Sequence, residues 1–375
     1  ERIGSLADPV LAVERISTTA AGAVEIVPIT VQDDQATNLN SNYFETRTID
    51  PSYRFTVSES GLYRVTLKDC YRESRGNPSL QYRLAIHRSA PDFRVVAVPG
   101  ASNLGQVWPV ALRHHDRFPI TVYAYRRDGF DGPIMIEPEN LPGGVECPPV
   151  VIHPHGQSVT MVISSTADAP PGNFPLAFRG VAEIAEGNSA GKTTTVIHPV
   201  RMATTVWGYH GIFPAMCRLT DQCRLGILDE VAPFELATEV TELHVDQGSM
   251  LQLPIQLKRS EACRESVKLA PQDLPEQVTI DNPNFVVAKA EKEHEVRLLV
   301  GEGAAPGIYT IWVQGESEVA YRRNPAAAER LKQAHQTVKD VAEAAMQAAQ
   351  AAGKQKNEAV RLQGLATRKL QQAQG

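Results

Sequence analysis

Between Tyr53 and Asp69 apolar and polar residues alternate. Phe55 and Val57 flank Thr56, and after a short break Tyr63, Val65 and Leu67 alternate with Arg64, Thr66 and Lys68. Alternation at every second residue turns one set of side chains toward a core and the other toward water, as on a strand. The stretch predicts two strands joined by a tight turn, with Gly61 supplying the positive φ that a Cβ would penalise. Glycine followed two residues later by an aromatic returns at Gly172-Asn173-Phe174 and Gly307-Ile308-Tyr309, each time behind a proline. Further strands are predicted after Asp8-Pro9, over Val24 to Val31 and over Leu80 to Ile86. The pattern predicts three β-sandwich modules in series.

Two of these modules read as copies. Pro119-Ile120-Thr121-Val122 matches Pro254-Ile255-Gln256-Leu257. Pro138-Glu139-Asn140-Leu141-Pro142 matches Pro271-Gln272-Asp273-Leu274-Pro275. Pro171-Gly172 matches Pro306-Gly307, and Gly180 matches Gly315, all at an offset of about 133 to 135 residues. In each copy a strand leads to the proline turn, then to further strands (Ser158 to Ser164 in one, His294 to Val300 in the other) and a last strand behind the proline-glycine pair. Short strands separated by frequent turns are the sandwich pattern. Trp207 to Asp229 interrupts it. That stretch, with Trp207, Tyr209, Phe213, Cys217 and Cys223, reads as a long connection folded onto the third module, its aromatics packing the junction rather than forming a binding surface.

Composition narrows the classes of function. The chain has 375 residues, 42% hydrophobic, with 26 glycines and 26 prolines, enough for several cores joined by many turns. A net charge of −6 gives no electrostatic footprint for nucleic acid. No apolar run approaches the ~20 residues that would span a bilayer. The sequence opens at Glu1 without an initiator methionine or signal peptide and ends within a helical pattern, so it reads as a fragment. The cysteines are Cys70, Cys147, Cys217, Cys223 and Cys263, an odd set that cannot all pair internally. Cys217 and Cys223 flank a short polar loop that a disulfide would close; a bridge from either to Cys263 is the alternative, with Cys70 left as a thiol. No cysteine or histidine spacing matches a zinc site.

The first module resembles a known family. Asp8-Pro9-Val10-Leu11, the paired aspartates Asp33-Asp34, the alternating stretch from Tyr53 to Asp69, the Leu80–Ile86 strand and Pro91-Asp92-Phe93 together look like a bacterial pre-peptidase C-terminal domain. The resemblance implies a small jelly-roll-like sandwich appended to secreted enzymes or large envelope proteins. It also implies a calcium site, since some relatives bind calcium beside such acidic loops. Asp8, Asp33 and Asp34 are the candidate hard-oxygen ligands, and the alternative is that they form turns by bonding their own backbone. No other cofactor is expected. The two copies resemble bacterial immunoglobulin-like modules.

Other motifs weigh against chemistry. Gly187 to Thr193 has the look of a phosphate-binding loop, but three residues rather than four separate its glycines, and it links two strand-like stretches, so it reads as a hairpin tip. His114-His115-Asp116 and His153-Pro154-His155 lack a further ligand nearby and read as turn or surface residues. No G-x-S-x-G elbow is present.

From Asn324 the composition turns to alanine, glutamine, lysine and glutamate. Asn324 is a good cap and Pro325 suits the first helical position. Leu331, Val338, Ala345, Ala352, Ala359 and Ala366 recur every seventh residue, with Ala334, Val341, Ala348 and Leu362 on the companion positions. Gln355, Lys369, Gly353 and Gly364 interrupt this heptad seam. So thin an apolar stripe is marginal alone in water and calls for a partner helix.

The expected fold is therefore mainly β: a jelly-roll-like sandwich over 1–90, immunoglobulin-like sandwiches over 91–205 and 206–322, and a coiled-coil-like helix over 323–375. The expected function is non-enzymatic. It is a spacer or adhesion module of a secreted, periplasmic or cell-surface protein, assembling through its helix or sandwich edges. The alternative is a polysaccharide- or protein-binding appendage of a secreted hydrolase.

Overall fold

The computed structural model describes residues 7–35, 38–40, 46–71, 77–100, 110–154, 156–185, 192–207, 216–282, 285–319 and 325–373. The chain divides into two compact units, Glu1–Glu318 and Val319–Gly375. The first is all β among the described residues; the second holds one long helix.

The first body is a three-stranded antiparallel sheet. β1 (Pro9–Thr18) lies between β2 (Val24–Gln32) and β3 (Leu62–Asp69). Leu11 and Val13 of β1 are buried and stand opposite Leu67 and Val65 of β3. The predicted hairpin is only half formed. Its second arm is β3, but Tyr53 to Val57 is not a strand, and neither is Leu80 to Ile86. The aromatics of the first arm pack on each other instead of entering a ladder: Tyr53 stacks on Phe55 at 5.8 Å, and Phe55 meets Tyr63 at 5.9 Å. Gly61 does not take positive φ; among the described residues of this body the left-handed glycine is Gly22, at 80° in the β1–β2 turn.

The second body contains β4 (Asp92–Pro99), β5 (Val110–His114), β6 (Arg117–Arg127), β7 (Ile134–Glu139), β8 (Val145–Glu146), β9 (Val150–Ile152), β10 (Ser158–Ser165), β11 (Gly172–Ala185), β12 (Thr193–Pro199), β13 (Arg201–Trp207), β14 (Met216–Thr220) and β15 (Cys223–Val231). One sheet runs β14-β13-β4-β6-β10-β8 and the other β5-β15-β11-β7-β9, with β12 paired to β11. Between them lies a core that includes Phe93, Ile120, Ile134, Met161, Phe178 and Leu225. β13 to β15 correct an expectation. They do not fold onto the third module, and a boundary after 205 cuts through β13. β15 pairs with β11 and β5, because alternate residues Leu225 and Ile227 belong in this core. Tyr209 and Phe213 lie outside the described residues.

The third body is smaller. β16 (Phe234–Ala237), β17 (Met250–Arg259), β21 (Glu293–Val300) and β19 (Val278–Ile280) form one sheet. β20 (Val286–Val287), β18 (Val267–Gln272) and β22 (Trp312–Glu316) form the other. The order β16-β17-β21-β19 repeats β4-β6-β10-β8, and β20-β18-β22 repeats β9-β7-β11. The duplication extends to single residues. Phe93 pairs with Arg126 and Phe234 with Arg259. Gly180 lets Phe93 and Val95 approach where a Cβ would sit 3.1 Å from each, and Gly315 does the same for Phe234 at 2.7 Å. Asn140 and Asp273 hold left-handed φ of 49° and 56° at corresponding turns.

An arginine clamps each copy. Arg126 donates to the carbonyls of Gly132 (2.5 Å), His153 (2.9 Å) and Gly156 (3.2 Å), with its guanidinium over the Phe130 ring. Arg259 donates to the carbonyls of Glu265 (2.6 Å), Val287 (3.2 Å) and Ala288 (2.9 Å). Each ties the end of its strand to two neighbouring segments through their carbonyls.

The second unit is α1 (Pro325–Ala373), 49 residues, with Pro325 at its first position as expected. Asn324, the expected cap, lies outside the described residues. Alanine, glutamine, lysine and glutamate carry the helix through Gly353 and Gly364 without a break.

Candidate functional site

β1 runs antiparallel to both neighbours, so its start lies beside the ends of β2 and β3. That topology gathers residues far apart in sequence. Asp8 precedes β1, Asp33 and Asp34 follow β2, and Asp69 closes β3. Carboxylate oxygens of Asp8, Asp33 and Asp34 lie within 4.8 Å of one another. The amide of Cys70 donates to the Asp8 carbonyl at 2.7 Å, and Asp69 accepts the Tyr71 amide at 2.8 Å in a local turn.

The three predicted ligands are thus brought together. Oxygens bound to calcium at about 2.3–2.6 Å can stand up to ~5 Å apart, so the spacing and the all-oxygen chemistry fit a hard divalent cation. They would supply three of the six to eight oxygens it takes; bidentate binding, backbone carbonyls and water would supply the rest. The cluster also acts on its neighbour. Partial desolvation, then the carboxylates of Asp33, Asp8, Asp69 and Asp34, push the Cys70 thiol above its ordinary pKa.

The expected Cys217–Cys223 disulfide is not formed, nor is a bridge to Cys263. Cys217 lies on β14 and Cys223 on β15, which belong to opposite sheets of the second body, so the intervening turn carries the chain from one layer to the other instead of closing a loop. Cys147 and Cys263 are buried in separate cores, and burial alone lifts the Cys147 thiol to about 11.

The histidine motifs are parts of turns. His115 has φ of 62°, and Asp116 accepts the Arg113 amide at 3.1 Å, which shapes the β5–β6 turn. The His114 ring lies 3.6 Å from an Asp229 oxygen. His153 follows β9, and its carbonyl serves the Arg126 clamp; His155 lies outside the described residues. So do 186–191, the phosphate-loop lookalike, whose flanking strands β11 and β12 pair antiparallel.

Two aspartates join the bodies and were not singled out by sequence. Asp128, at φ 48°, accepts the Ala90 amide on its carboxylate at 3.0 Å, and its carbonyl accepts from Arg54 and Ser89 at 2.8 Å each. Asp273 accepts from Thr160 across the next junction. The signal that could have found Asp273 was its match to Asn140, a residue type equally tolerant of left-handed backbone.

On α1 the apolar positions face solvent. Leu331, Val338, Val341 and Leu362 are 71%, 67%, 65% and 55% exposed. No helix among the described residues is long and apolar enough to cross a membrane.

No protein-family model matches the chain, and no curated protein matches it. Among solved structures it is similar to a protein of unknown function from Porphyromonas gingivalis W83, at 10% identity over 56% of this chain and 83% of that one. The TM-score of 0.19 is too low to carry an inference about fold or function.

Proposed function

We propose that this chain is a non-catalytic spacer or adhesion module of a secreted or envelope-associated protein, whose β-sandwich bodies set a reach and whose C-terminal helix pairs with a second copy. The observation that carries the reading is the 49-residue helix with its heptad positions open to solvent. At ~1.5 Å per residue such a helix is about 70 Å long. An isolated helix gains its stability chiefly from packing an apolar face, and this one has a face to offer. The seam is self-complementary. Branched residues lie toward its start and alanine through its middle, and small side chains let two helix axes approach closely. Charge is kept off the seam until Lys369. The resemblance of the first body to an accessory domain of secreted proteins supports the location.

The test is the solution mass of the chain with and without residues 323–375, by light scattering over a range of concentrations. A dimer or higher multimer that becomes a monomer on truncation supports the reading. The same number of chains per particle in the two refutes it. Leu331→Asp with Val338→Asp, both on the seam, should have the same effect as truncation.

A further inference from the structure

On strand β10 alternate residues Val159, Met161 and Ile163 are buried in the second body's core. Thr160 points the other way, to the outer face, where its neighbour Ser158 is exposed. Yet Thr160 is only 3% exposed. What covers it is the third body. The Thr160 hydroxyl donates to Oδ2 of Asp273, which also accepts the Trp312 indole N–H at 3.0 Å. Thr121, opposite Thr160 in the ladder, completes the network at 3.0 Å. Beside it Arg117, at the start of β6, pairs with Glu235 of β16 at 3.2 Å. Among the described residues the link includes two polar contacts, Thr160 of β10 with Asp273 in the turn after β18, and Arg117 of β6 with Glu235 of β16.

We propose that the second and third bodies are held in one fixed orientation by a latch, in which Asp273 on its left-handed turn is the bolt and the Thr160–Thr121 pair is the seat. A turn with φ of 56° at Asp273 suits Asn, Asp or Gly and projects the carboxylate away from its own sheet. Trp312 fixes that carboxylate from the third body's side, so it meets Thr160 already oriented. A charged acceptor on a buried hydroxyl is among the stronger hydrogen bonds. The corresponding turn of the second body carries Asn140, and the ladder pair of the third body that matches Thr121–Thr160 is Pro254–Glu295. A carboxylate facing Glu295 would be repelled, so this latch is specific to the one junction and does not propagate head to tail. The proposal deepens the spacer reading, since only a fixed joint gives a fixed reach, but its test reads the joint alone and is indifferent to helix pairing.

The experiment is hydrogen exchange by mass spectrometry on the full chain. Thr160→Val changes only the second body's surface. If the latch exists, it speeds exchange in peptides covering 271–275 and 312–316 of the third body by about threefold or more, a local opening. Asp273→Asn keeps the turn and an acceptor oxygen and leaves exchange near the wild-type rate, while Asp273→Ala speeds exchange around Thr160. Ser158→Val, on the same strand but exposed, is the control and changes neither. Combined, Thr160→Val and Asp273→Ala act no more strongly on the joint than the stronger one alone. Wild-type exchange on the far side of the joint in Thr160→Val, or simple additivity in the double variant, overturns the latch.

Discussion

Replacing Arg126 by methionine keeps most of the side chain's apolar length and removes all of its donors. The carbonyls of Gly132, His153 and Gly156 then lose the guanidinium at once, though that of His153 keeps the Gly156 amide at 2.9 Å. A buried carbonyl left unpaired costs roughly 1–3 kcal/mol, but water can reach part of this site and the desolvation cost of the guanidinium is relieved. That cost is real, since burial depresses the Arg126 pKa. The balance predicts a loss of about 2–4 kcal/mol, which at a urea slope of ~2 kcal/mol/M moves the midpoint down by about 1–2 M. Each body carries a built-in reporter. Cys147 lies in the second core and Cys263 in the third, and neither thiol is accessible until its own body opens. Pulse labelling through a urea series, read by site-resolved mass spectrometry, follows the two separately. Arg126→Met should lower the midpoint for Cys147 far more than for Cys263, and Arg259→Met the reverse. Arg126→Lys should recover under half of the loss, because one ammonium cannot span three carbonyls. A shift below ~0.3 M, or an Arg126 variant that acts chiefly on Cys263, would refute the view that these arginines clamp their own sandwiches.

Three further outcomes follow from the geometry. Gly180→Ala and Gly315→Ala place a methyl against Phe93 and Phe234 respectively and should each cost about 1–3 kcal/mol by denaturant titration, with Phe234→Leu partly rescuing Gly315→Ala. Asp33→Asn with Asp34→Asn removes charge beside Cys70, lowers that thiol's pKa and should speed its alkylation near pH 8; added calcium should do the same to the wild type if the strand-end carboxylates hold it, and an unchanged rate argues for plain turns. Burial raises the Asp92 carboxyl, but the His198 hydrogen bond at 2.7 Å, the Phe93 backbone and Arg94 outweigh it and bring the pKa below the ordinary value. A depressed folded-state pKa gives stability that is complete above the unfolded value of about 3.9 and is lost as pH falls toward the folded one. Asp92→Asn should therefore be less acid-sensitive than the wild type below about pH 4, which thermal melts against pH would show.

The sequence carried the architecture of the copied bodies further than that of the first. Offsets between proline turns located equivalent strands, and the same offset applied to Arg126 and Asn140 reaches Arg259 and Asp273, the clamp and the bolt. Those residues were legible in principle but silent as single sites, since an arginine at a strand end looks like a solvated charge until its carbonyl partners are placed. β13 to β15 were hidden for another reason. Cys217 and the turn formers around it resemble a loop, while the alternation Leu225, Ile227 that commits β15 to the second core spans too few residues to stand out. In the first body alternation over Tyr53–Val57 predicted a ladder where Tyr53 and Phe55 stack on each other and on Tyr63, and Arg54 reaches the Asp128 carbonyl. Alternation reports which side chains share a face, not whether a neighbouring backbone is there to bond. Asp8, Asp33 and Asp34 meet in one corner because antiparallel pairing places Asp8 beside the end of β2.

The arrangement of edges bears on how such a chain would associate. An open strand is a template for pairing with another chain, and short edges, bulges and prolines blunt it. In the second body the long strands β4 and β11 are not left open: β13 lies along the former and β15 along the latter. Its outer strands include β8 and β9, of two and three residues. The third body ends in β16, β19, β20 and β22, none longer than five residues. The long exceptions are β2 at nine and β3 at eight, the two edges of the first sheet, and β12 at seven, which pairs only β11. β2 carries Pro28 opposite a bulge at Val13/Glu14 that breaks its register, whereas β3 runs without proline or bulge. The third body's short edges are thus poor templates for strand addition, β3 of the first body is the open one, and α1 presents to solvent a seam of apolar positions interrupted at Gln355 and Lys369. Association through the sheets would need a long backbone ladder that β3 alone offers without proline or bulge, so loss of residues 323–375 should remove most self-association and leave that edge as the route for any remainder.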